Sequence, residues 1–256
     1  MRDKTMEAQV QEDGWLASVI GHPVHRVSLG GGTQSIDLER HLRAIDSEGK
    51  PVMHYLRLDP SAIQLVRDLG RLGFYVVDTC VTFALDSAAV KAGEPAPGIA
   101  RISDFVEPEV EEVLDLAEHG FRYSRFHLDP GLARETANRV KREWIKSYTL
   151  KRRGDALLVA RAEGRVAGFL AALRSTVKGQ RCAVIDLVAV ASAFQGKGVG
   201  RALMQAFVQR YRSDVAQLRV GTQAANIPAM RLYERAGFLM DASEFVLHRH
   251  SVRPGN

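Results

Sequence analysis

The sequence contains few cysteines and no long apolar run. Its two cysteines, Cys80 and Cys182, lie far apart in a chain of 256 residues. They exclude a disulfide scaffold and a zinc site with four cysteine ligands, and they are typical of a protein in a reducing cytosol. Because no stretch reaches about 18 uncharged apolar residues, we predict no membrane span. The N-terminus mixes both charge signs without an apolar core, so we predict no secretory signal and a cytoplasmic location.

The excess of positive charge is also small. Lys and Arg number 35 against 30 Asp and Glu, which gives a net charge of +5. This balance suits an anionic ligand but does not indicate a nucleic acid partner. A hydrophobic fraction of 46% excludes a disordered chain. At roughly 100–200 residues per domain, the length predicts one large domain or two modest ones.

The first half of the chain predicts a small α/β domain with the order β-α-β-α-β. Strand and helix candidates alternate at 24–28, 36–45, 53–58, 63–72 and 74–85. The following segment, 86–98, is rich in small residues, proline and glycine. We therefore expect a domain at 1–85, a linker at 86–98 and a second domain at 99–256.

The second half predicts a mixed α/β (α+β) sheet flanked by helices. Strand candidates lie at 99–102, 156–161, 166–174, 182–190 and 217–223, and helix candidates at 108–118 and 134–148. The strand at 182–190 is nearly all apolar, as a central strand buried on both faces would be.

A glycine-rich loop follows that apolar strand and leads into a helix. The loop reads Gln195, Gly196, Lys197, Gly198, Val199 and Gly200, with Arg201 next. Backbone N–H groups in a first helical turn have no intrahelical partner, and the helix dipole favours negative charge there. Glycines remove the side chains that keep a phosphate away, so the loop predicts a pyrophosphate site. A plain glycine-rich turn is the alternative interpretation of the loop alone.

Two common phosphate-binding loops do not fit. A P-loop requires Ser or Thr after its Gly-Lys pair, whereas Gly198 follows Lys197. A Rossmann fingerprint requires the spacing G-x-G-x-x-G, whereas these glycines lie at 196, 198 and 200.

The loop pattern Gln-x-x-Gly-x-Gly resembles the acetyl-CoA-binding motif of the GCN5-related N-acetyltransferases (GNAT). The string from Asn226 to Phe238, with Tyr233 and Gly237, is similar to the end motif of that family. Together the two pieces cover about 184–238. The layout of a small α/β domain before this region resembles the dTDP-fucosamine acetyltransferase group, which acetylates the 4-amino group of a dTDP-linked dideoxyhexose.

The resemblance implies direct acetyl transfer from acetyl-CoA to a primary amine, without a metal or a covalent enzyme intermediate. It implies Tyr233 as the general acid for the leaving thiolate and Asn226 as a contact to CoA, although Asn226 also fits a helix N-cap alone. It further implies an oxyanion site and pantetheine contacts made by the main chain of Leu187, Val188, Ala189 and Val190.

The general base is left open. Asp186 lies in an apolar strand, where an unpaired carboxylate is costly, so it is either the base or a buried ion-pair partner. Glu143 and His127 are lesser candidates, and a water relay is equally compatible. The run from Lys151 to Arg153 is interpreted as a solvated turn.

Ser124 and Arg125 are candidate contacts for an anionic nucleotide sugar, with a solvated loop as the alternative. The hypothesis is an N-acetyltransferase acting on a nucleotide-linked amino sugar. The alternatives are another amine acceptor (a protein, an antibiotic or a polyamine) and a non-catalytic acyl-CoA sensor. A homodimer is compatible with the resemblance, but nothing in the sequence fixes its interface.

Overall fold

The computed structural model describes residues 6–30, 36–90 and 100–251. The chain divides into two compact units, each built from separate segments. Unit 1 comprises Met1–Cys80, Ser124–Val140 and Ser243–Asn256, and unit 2 comprises Val81–Tyr123 and Lys141–Ala242. Most of the expected linker at 86–98, from residue 91 onward, lies outside the described residues.

Both units contain strands and helices. The strands are β1 (Glu7–Glu12), β2 (Val24–Leu29), β3 (Ile36–Asp37), β4 (Met53–Leu58), β5 (Tyr75–Asp86), β6 (Arg101–Asp104), β7 (Ala156–Ala162), β8 (Arg165–Val177), β9 (Gln180–Val190), β10 (Gln217–Gln223) and β11 (Leu239–His250). The helices are α1 (Gly14–Ile20), α2 (Leu38–Ser47), α3 (Ile63–Arg71), α4 (Val110–His119), α5 (Arg134–Thr149), α6 (Val199–Tyr211) and α7 (Ile227–Arg235). Within the described part of the chain, every helix is too short or too polar to traverse a bilayer.

Unit 1 is a mixed sheet with the strand order β3-β1-β2-β4-β11. Strand β1 runs antiparallel to β2 and β3, β2 is parallel to β4, and β4 is antiparallel to β11. Its core includes Leu38 and Leu42 of α2 against Val27 and Leu56 of the sheet.

The sequence analysis missed β1, α1 and β11, although α1 has clear local signals. The Asp13 carboxylate accepts a hydrogen bond from the Leu16 N–H at 3.0 Å, which caps the first turn. Gly21 ends the helix in the left-handed region at φ +97°. Burial of Leu16, Val19 and Ile20 holds this seven-residue helix in place.

Unit 2 contains the strand order β5-β10-β9-β8-β7-β6, which confirms the predicted mixed sheet with flanking helices. Strands β6 to β9 are antiparallel neighbours, and β9 and β10 are parallel. Helices α6 and α7 pack on one face, where Leu203 and Tyr233 join Ile185 in one apolar cluster. Helices α4 and α5 pack on the other face, where Val113 and Ile145 join a second cluster.

A β-bulge in β9 reverses the alternation of its side chains. The pairing with β8 shifts where Ala172 faces Ile185 and Ala171 faces Leu187, so Asp186 is the extra residue. Before the bulge, Ile185 packs in the α6 and α7 cluster; after it, Leu187 packs in the α4 and α5 cluster. One inserted residue therefore changes which face each following side chain covers.

Candidate active site

Strands β9 and β10 pair over only part of their lengths. Among the described residues, the pairing joins Gln217–Val220 to residues Cys182–Ile185. Strand β9 continues to Val190 and β10 to Gln223, so their carboxyl ends run on past the last paired residues. In a parallel pair such an opening leaves main-chain groups on the inner edges available to a ligand.

The main chain of Val188 and Val190 faces this opening. The Ala191 N–H donates to the Ala167 carbonyl at 2.9 Å, and hydrogen-bonded residues alternate along an antiparallel ladder. Residues 187 and 189 therefore bond to β8, while Val188 and Val190 direct their N–H and C=O groups to the opposite edge. The Gln195 side chain confirms this direction, because its Nε2 donates to the Val190 carbonyl at 3.0 Å.

The glycine-rich loop forms an anion cradle at the start of α6. Gly196 and Gly198 adopt φ values of +75° and +87°, and Gly198 is the helix N-cap. The Ala202 N–H donates to the Gly198 carbonyl at 3.0 Å, so the three preceding N–H groups, from Val199 to Arg201, have no carbonyl within the helix to bond. These donors and the helix dipole together suit a phosphate group.

The third glycine of the loop has a different role. A Cβ on Gly200 would lie 3.2 Å from Leu232 Cδ2, whereas a Cβ on Gly196 or Gly198 would meet no atom within 4 Å. Gly200 therefore allows α6 and α7 to approach closely, and Gly196 and Gly198 allow the backbone conformation of the cradle.

Asn226 is the N-cap of helix α7, which contains Tyr233. The Asn226 side chain accepts from the Ala229 N–H at 3.4 Å, which matches its predicted capping role. Tyr233 is buried, its ring packs edge-on against Phe83 at 5.8 Å, and burial raises the pKa of its hydroxyl. Val188 and Val190 pack against the same apolar cluster as Tyr233.

Three donors surround the Asp186 carboxylate at the bulge. Trp144 Nε1 donates at 2.8 Å, the Tyr148 hydroxyl at 2.7 Å and Arg153 Nε at 2.7 Å. Burial alone would raise the pKa of Asp186, but the hydrogen bonds from Arg153, Tyr148 and Trp144 outweigh it and lower the pKa. The run from Lys151 to Arg153 is an exposed turn, as predicted, and the Arg153 guanidinium additionally forms an ion pair with Asp186.

Comparison with known protein families identifies the type of domain. The model of the acetyltransferase (GNAT) family matches residues 111–238, which is half of the chain. The chain belongs to the GNAT family. The GNAT match contains β9, the glycine-rich loop and α7, and the family uses acetyl-CoA as its acetyl donor.

Curated relatives of this GNAT protein include two acetyltransferases and a protein named for polysaccharide biosynthesis. A spore coat polysaccharide biosynthesis protein of Bacillus subtilis is 34% identical over 161 residues, covering 61% of this chain and 49% of that protein. The mycothiol acetyltransferase of Propionibacterium freudenreichii is 28% identical over 54% of this chain and 42% of its own length. The chain thus spans about half the length of these two relatives. The dTDP-fucosamine acetyltransferase of Escherichia coli is 28% identical over 71% of this chain and 74% of its own.

Solved structures show the same fold. A GCN5-related N-acetyltransferase of Sphaerobacter thermophilus has a TM-score of 0.61 at 18% identity, covering 98% of this chain and 78% of that one. A tandem GNAT protein from the clavulanic acid biosynthesis pathway has a TM-score of 0.59 at 13% identity, covering 92% of this chain and 77% of that one.

The remaining predicted site residues of the GNAT protein fall in both units. Glu143 belongs to unit 2 and forms an ion pair with Lys146 at 3.1 Å. Ser124, Arg125 and His127 belong to unit 1. The Ser124 hydroxyl lies 2.6 Å from His127 Nδ1, and His127 Nε2 lies 3.0 Å from the side-chain oxygen of Asn138.

The Arg125 guanidinium is held by aromatic rings. It lies 4.1 Å from the centroid of the Tyr55 ring and 4.7 Å from that of Phe126. Stacking of this kind fixes the plane of a guanidinium.

The residues that surround Asp186 were not assigned a function from the sequence. Trp144 and Tyr148 are four residues apart, so they lie on one face of α5. Two hydrogen-bond donors at that spacing on a helix, together with a carboxylate in an apolar strand, are the sequence signal that would have predicted their contact with Asp186.

Proposed function

We propose that this chain is an acetyl-CoA-dependent N-acetyltransferase that transfers the acetyl group directly to a primary amine. The observation that carries the proposal is the opening between β9 and β10 beside the glycine-rich cradle. It offers an anion site, a row of main-chain donors and a protonated tyrosine within one unit.

In this proposal the CoA pyrophosphate binds the N–H groups of the first turn of α6. Lys197 and Arg201 are exposed beside this turn and add positive charge. The pantetheine arm then follows the free edge of β9, where its amides pair with the main chain of Val188 and Val190 as an added strand would.

The chemistry requires one bond to form and one to break. The neutral amine attacks the thioester carbonyl, and a Val188 or Val190 N–H donates to the oxyanion that develops. The carbon–sulfur bond then breaks, Tyr233 donates its hydroxyl proton to the departing thiolate, and water returns a proton to Tyr233, which balances the proton lost by the amine. Because burial raises the pKa of Tyr233, the hydroxyl is protonated throughout the neutral range.

For Asp186 we propose the ion-pair role rather than the role of general base. Its carboxylate already accepts from Arg153, Tyr148 and Trp144, and these hydrogen bonds lower its pKa. A lowered pKa weakens a base, and accepting an amine proton would break this network. The amine proton therefore leaves through water to solvent.

The proposed acceptor is a nucleotide-linked amino sugar. Two relatives support this class by name, a dTDP-fucosamine acetyltransferase and a polysaccharide biosynthesis protein. Ser124 and Arg125 are the proposed contacts to the acceptor, with the guanidinium binding a phosphate. An amine on a sugar also suits direct transfer, because it needs no further activation than loss of its proton.

A thiol-release assay tests both the reaction and the acceptor. Acetyl-CoA consumption is measured with dTDP-4-amino-4,6-dideoxygalactose, with polyamines and with aminoglycosides. We expect thiol release with the dTDP sugar and little with the other amines. Thiol release only with a polyamine or an aminoglycoside would support the acetyltransferase activity and overturn the amino-sugar acceptor. Acetyl-CoA binding without release for any amine favours the non-catalytic sensor.

A further inference from the structure

Three histidines converge within unit 1, apart from the residues used in the proposed reaction. His25 lies on β2, His41 on α2 and His54 on β4. One ring nitrogen from each lies within 4.8 Å of the other two. The ring centroids are 5.1 to 6.1 Å apart.

The fold brings these rings to one face of the sheet. His25 and His54 are register partners on the parallel strands β2 and β4, so their side chains project to the same side. Two residues further along, Val27 and Leu56 pack on that side with residues of α2. Helix α2 thereby places His41 over the pair.

Hydrogen bonding alone leaves this cluster unsatisfied. The one contact between the rings, from His25 Nδ1 to His54 Nε2, measures 3.3 Å. His41 Nε2 is buried with no hydrogen-bond partner among the residues that the structure describes. Buried polar atoms without partners are rare in proteins, and they indicate a missing ligand or water.

We propose that His25, His41 and His54 bind one divalent transition-metal ion, with Zn²⁺ as the best fit. Neutral imidazole is a preferred ligand of such ions, and three histidines leave a fourth position for water. For tetrahedral zinc with bonds of about 2.0–2.1 Å, ligand nitrogens lie about 3.3 Å apart. The His25 to His54 distance already has this value.

The protonation state and the local charges are compatible with a cation. His54 is fully buried, and a buried imidazole without an acidic partner is favoured in the neutral form, which offers a lone pair to a cation. Glu12 is the register partner of His25 on β1 and supplies negative charge. Arg249 is the opposing positive charge, and the Asp46 carboxylate pairs with it.

A second group in unit 1, formed by Asp129, His248 and His250, is less suited to a metal. Its carboxylate already accepts from both histidines, from the Tyr75 hydroxyl at 2.6 Å and from the Gly131 N–H at 2.8 Å. Four donors account for the lone pairs of both oxygens. This group is therefore an internal control for metal binding.

Metal titration of the whole chain tests the site without any acetyl transfer. The protein is produced without a histidine tag, stripped with a chelator and titrated near neutral pH with Zn²⁺ by calorimetry and with Co²⁺ by visible absorption. We expect one equivalent of Zn²⁺ per chain, the absorption bands of tetrahedral Co²⁺, and a rise in thermal stability with Zn²⁺.

Variants assign the binding to particular rings. His41→Gln is the main variant because this ring is only half-buried, and His25→Gln is the second. Each should weaken Zn²⁺ binding by about 100-fold or more, since loss of an outer-shell partner alone costs 10–100-fold. His250→Gln in the second group and His22→Gln at a half-buried position outside both groups should both keep one equivalent. Circular dichroism of the metal-free variants verifies that they fold.

Three results would overturn the proposed metal site. The first is an absence of stoichiometric Zn²⁺ binding by the unaltered chain. The second is one-equivalent binding that survives both His25→Gln and His41→Gln. The third is loss of binding in His250→Gln, which would move the ion to the second group. None of these results bears on acetyl transfer, so the two proposals fail separately.

Discussion

Arg153 and Asp186 form a bidentate ion pair on the face of the unit 2 sheet against which α5 packs. Arg153 Nε donates to Oδ2 at 2.7 Å and Nη2 to Oδ1 at 3.2 Å. Because Asp186 is the bulged residue of β9, the pair ties the bulge to the segment that follows α5. It thereby fixes the part of β9 that leads into Val188 and Val190.

Asp186→Asn should destabilise the protein without abolishing turnover. We expect a loss of about 1–3 kcal/mol in the free energy of unfolding, less than for a fully buried pair because the Arg153 side chain is 43% exposed. The pKa of Asp186 is lower in the folded protein than its value near 3.9 in the unfolded chain, so the ionised carboxylate stabilises the fold above about pH 3.9. This contribution disappears as the pH falls through the folded pKa. The free energy of unfolding, measured with urea between neutral pH and about pH 3, should therefore fall less steeply toward acid pH in the variant than in the unaltered chain.

The same variant separates the two roles of Asp186. If it is an ion-pair partner, kcat/KM falls by less than about tenfold and the shape of the pH–rate profile is kept. A loss of about 100-fold or more, with disappearance of the acid limb, would make Asp186 the base. Asp104→Asn is the control, because it breaks an exposed pair with Arg210 at 2.8 Å.

Tyr233→Phe should slow acetyl transfer while acetyl-CoA binding is retained. The variant retains the ring that packs on Phe83 and loses only the hydroxyl. We expect kcat to fall by about 100-fold or more while the Kd for acetyl-CoA changes by less than about threefold. Thiol release and calorimetry measure the two quantities. Tyr211→Phe makes the same change at another buried tyrosine of unit 2 and should leave kcat unchanged. An equal loss of kcat in both variants would refute the role of Tyr233 as general acid.

The glycines of the loop should respond differently to alanine. Gly198→Ala forces an L side chain into φ +87° without a clash, so acetyl-CoA binding should weaken by about tenfold and Tm should fall only by the cost of the backbone strain. Gly200→Ala meets Leu232 at 3.2 Å, so Tm should fall while the cradle donors stay in place. Gly179→Ala controls for strain alone, since its φ is +79° in the β8–β9 turn. If all three variants bind acetyl-CoA equally well, the cradle is not the cofactor site.

His248 should make the protein sensitive to mild acid. Burial, opposed by the hydrogen bond to Asp129, lowers its pKa to about 4. The unfolded chain takes up this proton near pH 6.5, so stability falls as pH drops from about 6.5 to about 4, by about 3 kcal/mol at most. His248→Asn keeps a donor for Asp129 and lacks the titration, so its unfolding free energy should change less over this range. His119→Asn, at an exposed histidine, should keep the sensitivity of the unaltered chain.

Local patterns predicted the part of the site that local physics determines. Helix α6 follows from apolar residues spaced around Val199, and the start of α7 follows from the capping side chain of Asn226. Both depend on contacts within a few residues. The roles of the three glycines needed tertiary contacts, because only the approach of Leu232 distinguishes Gly200 from Gly198.

Elements stabilised by distant partners were missed. Strand β11 carries three polar side chains at its end, and a hydropathy pattern interprets these as exposed. In the structure Asp129 accepts from His248 and His250, and the Arg249 side chain donates to the Leu72 carbonyl at 2.8 Å. The bulge at Asp186 was likewise invisible, because an apolar run gives no alternation from which a reversal could be detected.

The division of unit 1 into three chain segments has a consequence for how the protein folds. Its β4 and β11 pair Met53 with His250, and most of unit 2 lies between them in the sequence. The ribosome therefore releases the last strand of unit 1 only after unit 2 has been synthesised. Contacts of such long sequence separation form slowly, since closing the intervening loop costs chain entropy first. Until then, β4 exposes an unpaired edge, and nascent chains are most open to misassembly and chaperone binding at that stage.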